Sequence, residues 1–242
     1  AENADRAEAT SEFFRTILTG VSPEIAKGED TTLLRAILDK TADRIDVEFG
    51  GQRRAAIEMH ATMSTAYHAI SEYESALEEA QRARELALAE FGAESEEALG
   101  ALVQMGIAYS RLQQRELALS TFEESGAEVE RVFGPRHPLA LRVERGLGLR
   151  YLDERQIGDA ARVFERLLLR HREGGDSASE AYVVSLNGLG LARLGQRDFA
   201  AAEPLLEEVL AAREQAFGQD HPDSITALLN LGTLCKEVQE RA

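Results

Sequence analysis

Apolar side chains recur along the chain at intervals of three and four residues. Leu99, Leu102, Met105 and Tyr109 form one such series. This spacing places the side chains on one face of an α-helix, which is the face that packs into a core. The sequence has no sustained run in which β-branched residues alternate with polar ones, as a half-buried strand would require. The pattern therefore predicts an all-α protein.

A second, longer period of 42 residues is superimposed on the helical one. Its most visible column is a Phe-Gly dipeptide, which recurs at Phe49-Gly50, Phe91-Gly92, Phe133-Gly134 and Phe217-Gly218, with Gly174-Gly175 at the remaining beat. A small-residue column comprises Ser64, Gly106, Gly148, Gly190 and Gly232. Twelve residues later lies an alanine column of Ala76, Ala118, Ala160 and Ala202. A period of this length indicates a repeat array, and such arrays bind ligands on a continuous surface.

Each unit of the period reads as two antiparallel helices, which we call helix A and helix B. The small-residue column lies inside helix A, where glycine costs about 1 kcal/mol relative to alanine and so needs a packing reason. Close approach of helix B, which carries the alanine column, supplies that reason. Helix B ends at Phe-Gly, and a proline such as Pro138 suits the first turn of the next helix A. We expect Phe91 and Phe133 to be buried at the junctions between repeats.

These columns resemble the signature of tetratricopeptide repeats at Gly106, Tyr109, Ala118 and Phe122. The 42-residue unit with Phe-Gly-x-x-His-Pro, at residues 133–138, is similar to the long variant found in kinesin light chains and many bacterial proteins. The resemblance implies an α-solenoid in which antiparallel helix pairs form a right-handed superhelix. One departure is that the glycine usual between helices A and B is absent, since the corresponding residues are Ser71, Gln113, Arg155 and Arg197.

The period divides the chain into three parts. Residues 1–50 are expected to form N-terminal helices and a degenerate half-repeat, residues 51–218 four full repeats, and residues 219–242 the first helix of a fifth, giving eleven or twelve helices. Residues 12–30 and 38–42 are similar to a linker in bacterial serine/threonine kinases that precedes a tetratricopeptide array. That likeness implies that the sequence is a non-catalytic piece of a longer protein with an upstream kinase domain.

The chemistry of the sequence points away from catalysis. No phosphate-binding glycine loop, nucleophile elbow or metal-ligand spacing occurs, so we predict no enzyme activity, no cofactor and no metal site. His137 and His221 recur with the period and are assigned to the turns, and Cys235 is predicted to be a packed thiol. The net charge of −16 argues against nucleic acid and anionic membranes as partners. The compartment stays open between the cytoplasm and the extracytoplasmic region of a membrane-anchored protein.

In tetratricopeptide arrays the A helices line a concave groove, and the resemblance therefore implies which residues bind a ligand. The implied residues are Arg142, Arg145, Leu149, Leu152, Val184, Asn187, Leu191, Leu194, Leu229 and Lys236. They combine an aliphatic floor with a few directional donors, which is typical of a peptide site. The two arginines lie one helical turn apart. Two alternatives stay open. The aliphatic residues pack against neighbouring A helices or bury the N-terminal helix, or the arginines pair with Glu144, Asp153 or Glu180.

These observations predict a protein–protein interaction scaffold that binds an extended or helical peptide of a partner protein. Residues 135–176 carry 9 basic and 7 acidic side chains in an otherwise acidic chain, which favours an acidic or carboxylate-bearing ligand. The alternative is an oligomerisation module with a self-packed groove, such as a homodimer. The fifth helix A motivates it, because Leu228, Leu231 and Leu234 are expected to lack a covering helix B.

Overall fold

The computed structural model describes residues 31–49, 51–176 and 179–239. Over these ranges the chain forms α-helices and no strand, which confirms the all-α prediction. The helices are α1 (Thr31–Phe49), α2 (Arg53–Ala69), α3 (Tyr73–Phe91), α4 (Glu96–Arg111), α5 (Arg115–Phe133), α6 (Pro138–Asp153), α7 (Ile157–Glu173), α8 (Glu180–Gly195), α9 (Phe199–Phe217) and α10 (Pro222–Gln239). The helix predicted over residues 1–19, and the linker-like segment 12–30, lie outside the described residues. None of the helices described combines the length and the apolar character of a membrane span.

The chain divides into two compact units, Ala1–Val132 and Phe133–Ala242. In the first unit α1 packs against α2, α2 against α3, and α3 against α4. Ile45 and Phe49 of α1 join Met63 and Tyr67 of α2 in one buried cluster. Residues 31–49 are therefore a helix packed like a helix B, as the sequence pattern predicts.

The second unit contains α6 to α10, and each of these helices packs against the next one along the chain. Its main core is built around Phe164 and Leu167 of α7, which are fully buried together with Leu186 and Ala192 of α8. A smaller cluster joins Leu206 of α9 to Leu234 of α10. Helices A of this unit are α6, α8 and α10, and helices B are α7 and α9.

The small-residue column has the packing role that the sequence predicts. A Cβ atom on Gly106 would lie 2.8 Å from the ring of Phe122, and one on Gly148 would lie 2.7 Å from the ring of Phe164. Gly188 of the next helix A also faces Phe164, from the other side and at still closer range. Glycine at these positions thus lets the backbone of helix A approach the largest side chain of helix B.

The turns between helices also follow the period. The turn residues His137 and His221 accept a hydrogen bond through Nδ1 from the backbone N–H two residues on, at 3.3 and 3.2 Å. This confirms their structural assignment. At the turns between helices A and B the residues that replace the usual glycine all adopt positive φ: 65° at Ser71, 59° at Gln113, 58° at Arg155 and 64° at Arg197. The backbone conformation is therefore kept without the residue that favours it.

The prediction that Phe91 and Phe133 are buried is wrong. Both rings are half-buried, and the corresponding Phe217 is 49% exposed. Phe133 stacks on His137 with ring centroids 4.6 Å apart, and Phe217 stacks on the equivalent histidine at the same distance. These rings lie at the end of helix B, where the chain turns. A histidine covers one side of Phe133 and of Phe217, whereas the guanidinium of Arg54 lies 4.7 Å from the ring centroid of Phe91.

Candidate peptide-binding face

All ten residues implied for ligand binding belong to α6, α8 and α10, the three A helices of the second unit. We call the surface that they form the helix-A face. None of them is buried: Leu149, Leu229 and Lys236 are exposed, and the other seven are half-buried. The residues just beside them on the same helices, such as Val143, Leu186 and Ala192, are buried in the core. On these helices, fully buried core residues thus lie next to residues that keep part of their surface exposed.

The aliphatic part of this face is half-buried and remains accessible. Leu149 is 39% exposed and Leu229 is 65% exposed. Leu152 and Leu194 touch the underlying core clusters while keeping part of their surface in solvent. Side chains in this state give an apolar surface that a ligand can cover without disturbing the core. Leu152 and Leu194 thus combine core packing with partial exposure, and a ligand-binding role of the aliphatic residues stays a prediction.

Arg142 and Arg145 are the main charged groups of the helix-A face. Burial lowers the pKa of the Arg142 guanidinium, and repulsion by Arg145 lowers it further. Burial also lowers the pKa of Arg145, while attraction to Glu180 opposes the shift. Arginine titrates so far above neutral pH that both groups remain charged. The two cations are thus partly desolvated and unfavourably close to each other.

Neither arginine forms an ion pair within the part of the chain that the structure describes. Each of the three acids considered as partners is bound by another arginine. Glu144 is held by Arg166 and Arg170 of α7, the latter at 2.7 Å, Asp153 lies 3.7 Å from Arg150, and Glu180 pairs with Arg213 at 2.5 and 2.6 Å. These three acids therefore form no ion pair with Arg142 or Arg145, and attraction to Glu180 is the only favourable charge effect on Arg145 named above.

Asn187 connects two of the three helices across the face. Its Oδ1 accepts a hydrogen bond from Nδ2 of Asn230, at 3.1 Å. The bond joins α8 to α10, and Asn230 is a residue that the sequence prediction did not include. Nδ2 of Asn187 donates no hydrogen bond to a described residue. The pair thus fixes the orientation of one amide and leaves donor capacity for a ligand.

Two buried polar residues of α6 were missed by the sequence analysis. Glu144 is 4% exposed and occupies a column filled by Leu102 and Leu186 in other repeats. Its ion pairs with Arg166 and Arg170 satisfy its charge. The signal was visible in the sequence, because a glutamate stood in an otherwise apolar column.

Arg150 is the more unusual of the two, because its side chain is fully buried. The corresponding residues of other repeats are Ala66, Ala108 and Ala192. Its Nε donates to Glu154 Oε1 at 3.1 Å, while Nη1 and Nη2 have no hydrogen-bond acceptor among the described residues. Buried N–H groups without acceptors lower the free energy of unfolding, so we expect Arg150 to destabilise the fold. We assign it no part in the helix-A face.

Cys235 is exposed, so the prediction of a packed thiol is wrong. The residue occupies the column of Tyr67, Tyr109, Tyr151 and Arg193 in the other repeats. The prediction that Leu228, Leu231 and Leu234 lack cover is right only in part, because Leu228 is 55% exposed but Leu234 is buried against α9.

A cavity of about 530 Å³ lies elsewhere in the unit, between α8 and α9. Its walls include Glu180, Tyr182, Glu208 and Arg213. None of the ten implied residues lines it. Since Arg213 is already paired with Glu180, this cavity offers a ligand less uncompensated charge than the helix-A face does.

Comparisons with known proteins agree with this geometry. Residues 183–223 match the family model of the tetratricopeptide repeat. No curated protein sequence matches the chain. Among solved structures, the chain is similar to the repeats of a putative kinesin light chain from Podosopora anserina, with 18% identity and a TM-score of 0.61 over 76% of this chain and 88% of that one.

Two further solved structures show the same similarity. BtubC (BKLC) from P. vanneervenii is 17% identical, with a TM-score of 0.62 over 90% of this chain and 92% of that one. A Rap protein in complex with competence and sporulation factor is 15% identical, with a TM-score of 0.64 over 98% of this chain and 68% of that one. At these identities the likeness shows the fold alone, and that fold is the predicted all-α tetratricopeptide type.

Proposed function

We propose that the helix-A face of α6, α8 and α10 binds a peptide segment of a partner protein, and that the chain is an interaction scaffold. The observation that carries the proposal is the pair of half-buried, unpaired guanidinium groups, Arg142 and Arg145, beside an accessible aliphatic surface. Partly desolvated cations without counterions lower their free energy when an anionic ligand approaches. Leu149 and Leu152 on the same helix supply apolar contact next to them.

The ligand that fits this surface carries a carboxylate. The planar guanidinium fork donates two parallel hydrogen bonds to a carboxylate, and two such forks stand one helical turn apart. The aliphatic residues of α8, Leu191 and Leu194, would cover the apolar side chains of the ligand. Asn187 would donate to its backbone or to a polar side chain. The complex of the similar Rap protein with competence and sporulation factor supports a ligand-binding role for this fold.

A selection experiment tests the proposal and requires no identified partner. A library of random peptides displayed on phage is selected on the protein, and the enriched peptides are synthesised with free and with neutralised acidic groups. We expect enrichment of aspartate, glutamate or a C-terminal carboxylate, and loss of binding when those groups are amidated. Peptides that bind equally well after amidation would show that Arg142 and Arg145 do not select the ligand.

We further propose that this scaffold is a non-catalytic region of a larger signalling protein of the kinase type. This part of the proposal rests on the likeness of residues 12–30 and 38–42 to a kinase linker, and on nothing in the fold. Sequencing of the complete gene tests it, and a reading frame without a kinase domain would contradict it.

A further inference from the structure

Glu180 is the first residue of α8 and lies at the edge of the helix-A face. It precedes Val184 by four residues and Asn187 by seven, so the three side chains lie on one side of α8. Helix α6, which carries Arg145, packs against α8. The carboxylate of Glu180 attracts the Arg145 guanidinium and opposes the lowering of its pKa by burial. Glu180 is therefore an internal anion beside the proposed ligand site.

The carboxylate of Glu180 is bound by Arg213 of α9 through two parallel hydrogen bonds. Nη1 of Arg213 donates to Oε2 at 2.5 Å, and Nη2 donates to Oε1 at 2.6 Å. The Arg213 side chain is only 12% exposed, and its Nη1 also lies 4.0 Å from Oδ2 of Asp223. The Glu180 side chain, in contrast, is 61% exposed. Arginine is thus the fixed partner of this ion pair, and the glutamate has room to turn.

The position of Arg213 does not require a charge for packing. The corresponding residues of the other repeats are Ala87, Val129 and His171, and none of them is more than 2% exposed. An apolar side chain therefore satisfies this column. The guanidinium of Arg213 adds the bidentate contact to Glu180, which none of those three side chains can form.

We propose that Arg213 is a positioning residue for the helix-A face, because it binds Glu180 and thereby keeps this acid from pairing with Arg145. Arg145 then stays open to an anionic ligand. This inference rests on the function proposed above, and it adds a residue of helix B that does not touch the ligand. Without Arg213, the carboxylate of Glu180 and that of the ligand compete for one guanidinium. Since Glu180 is largely exposed, we expect this competition to weaken ligand binding about three- to fivefold.

The first experiment needs no ligand. The variant Arg213→Met suits an apolar column, and nuclear magnetic resonance of the arginine Nε–Hε groups reports on the surroundings of Arg145. We expect the Arg145 signal to shift in Arg213→Met and its exchange with water to slow, because Glu180 becomes its acceptor. The double variant Glu180→Gln, Arg213→Met should return the signal to its wild-type position. An Arg145 signal that is the same in all three proteins would overturn the inference.

The second experiment measures ligand affinity by fluorescence anisotropy. Its probe is a fluorescein-labelled acidic peptide enriched in the phage selection. Arg213→Met should bind it about three- to fivefold more weakly than the wild type, and the double variant with Glu180→Gln should bind it at least as tightly as the wild type. A merely structural role of Arg213 would not give this rescue. Circular dichroism of each variant checks that the fold is kept.

Arg193→Met is the matched control. It removes an arginine from another ion pair, with Glu165 of α7, and changes the net charge by the same amount. Arg193 is not one of the residues of the helix-A face, so this variant should bind the probe like the wild type. Equal weakening by Arg193→Met and Arg213→Met would assign the effect to net charge and would overturn the inference.

Two further outcomes would overturn the inference and leave the proposed function intact. One is an acidic peptide that binds Arg213→Met as tightly as the wild type. The other is weakened binding that Glu180→Gln does not restore. Failure of the proposed function looks different, because charge reversal of Arg142 and Arg145 would then leave the binding of the probe unchanged, and the inference would fall with it.

Discussion

Replacing Phe164 with alanine tests the packing account at the centre of the second unit. The ring is fully buried and lies between Gly148 of α6 and Gly188 of α8. Large-to-small substitutions of this kind cost about 3–5 kcal/mol, depending on how well the site can collapse. Here Gly148 and Gly188 contribute helix backbone and no side chain to two sides of the space. We therefore expect a loss near the upper end of that range, about 4–5 kcal/mol.

Phe217→Ala provides the matched control, because it removes the same side chain from a site that is 49% exposed. Full burial of a phenylalanine is worth about 1.5–3 kcal/mol, so half-burial predicts a loss of roughly 1 kcal/mol, with a further ~1 kcal/mol from stacking on His221. The free energy of unfolding is measured by urea denaturation followed by far-ultraviolet circular dichroism. Amide hydrogen exchange of α6 and α8 serves as a local check, because the two units need not unfold together. If Phe164→Ala cost no more than Phe217→Ala, the assignment of Phe164 as the central packing residue would be wrong.

Three further predictions concern stability. Arg150→Met should leave the stability unchanged or raise it by about 1–4 kcal/mol in urea denaturation, because it removes two buried NH2 groups without described acceptors and leaves Glu154 able to meet solvent. A loss above ~2 kcal/mol would show that the buried guanidinium is satisfied. Gln113→Gly should raise the free energy of unfolding by up to about 1 kcal/mol, because a positive φ costs a non-glycine residue ~1–2 kcal/mol and the larger entropy of the unfolded glycine chain offsets part of that gain. The midpoint of urea denaturation measures this change, and a lower midpoint would contradict the prediction. Burial, together with the hydrogen bond to Asp39, raises the pKa of Tyr67. The contribution of Tyr67 to stability is therefore complete below the unfolded pKa of about 10 and is lost as the pH rises above it. Alkaline denaturation of Tyr67→Phe should begin at higher pH than that of the wild type, and identical profiles would refute this role of Tyr67.

The repeat period carried most of the fold prediction, because each column has one packing role. Glycine in helix A and phenylalanine four residues after the alanine of helix B meet in space, as Gly106 and Phe122 show. The burial prediction failed at Phe133 because recurrence alone does not distinguish a buried ring, such as that of Phe49, from one that stacks on a turn histidine. For Phe133 the histidine four residues on was the available signal, and it was assigned only to the turn.

The helix-A face was predictable in position but not in electrostatics. Helical spacing places Arg142 and Arg145 on the accessible side of α6, and the structure agrees. Which acid pairs with which arginine depends on side chains from the neighbouring helices. Arg170 binds Glu144 from α7, for example, and this pairing removes an acid that the sequence offered to Arg145. No periodicity in a single sequence contains that information.

The measurement that tests the central claim most directly is the affinity of a selected acidic peptide for two charge-reversal variants. One carries Arg142→Glu and Arg145→Glu, and the other carries Arg136→Glu and Arg162→Glu at exposed positions outside the helix-A face. Both change the net charge equally, so they share any long-range effect. Because each charge-assisted contact is worth about 1.5–3 kcal/mol, the first variant should bind about 100-fold more weakly or worse, while the second keeps nearly the affinity of the wild type. Equal affinities for the two variants would contradict the assignment of the helix-A face as the ligand site.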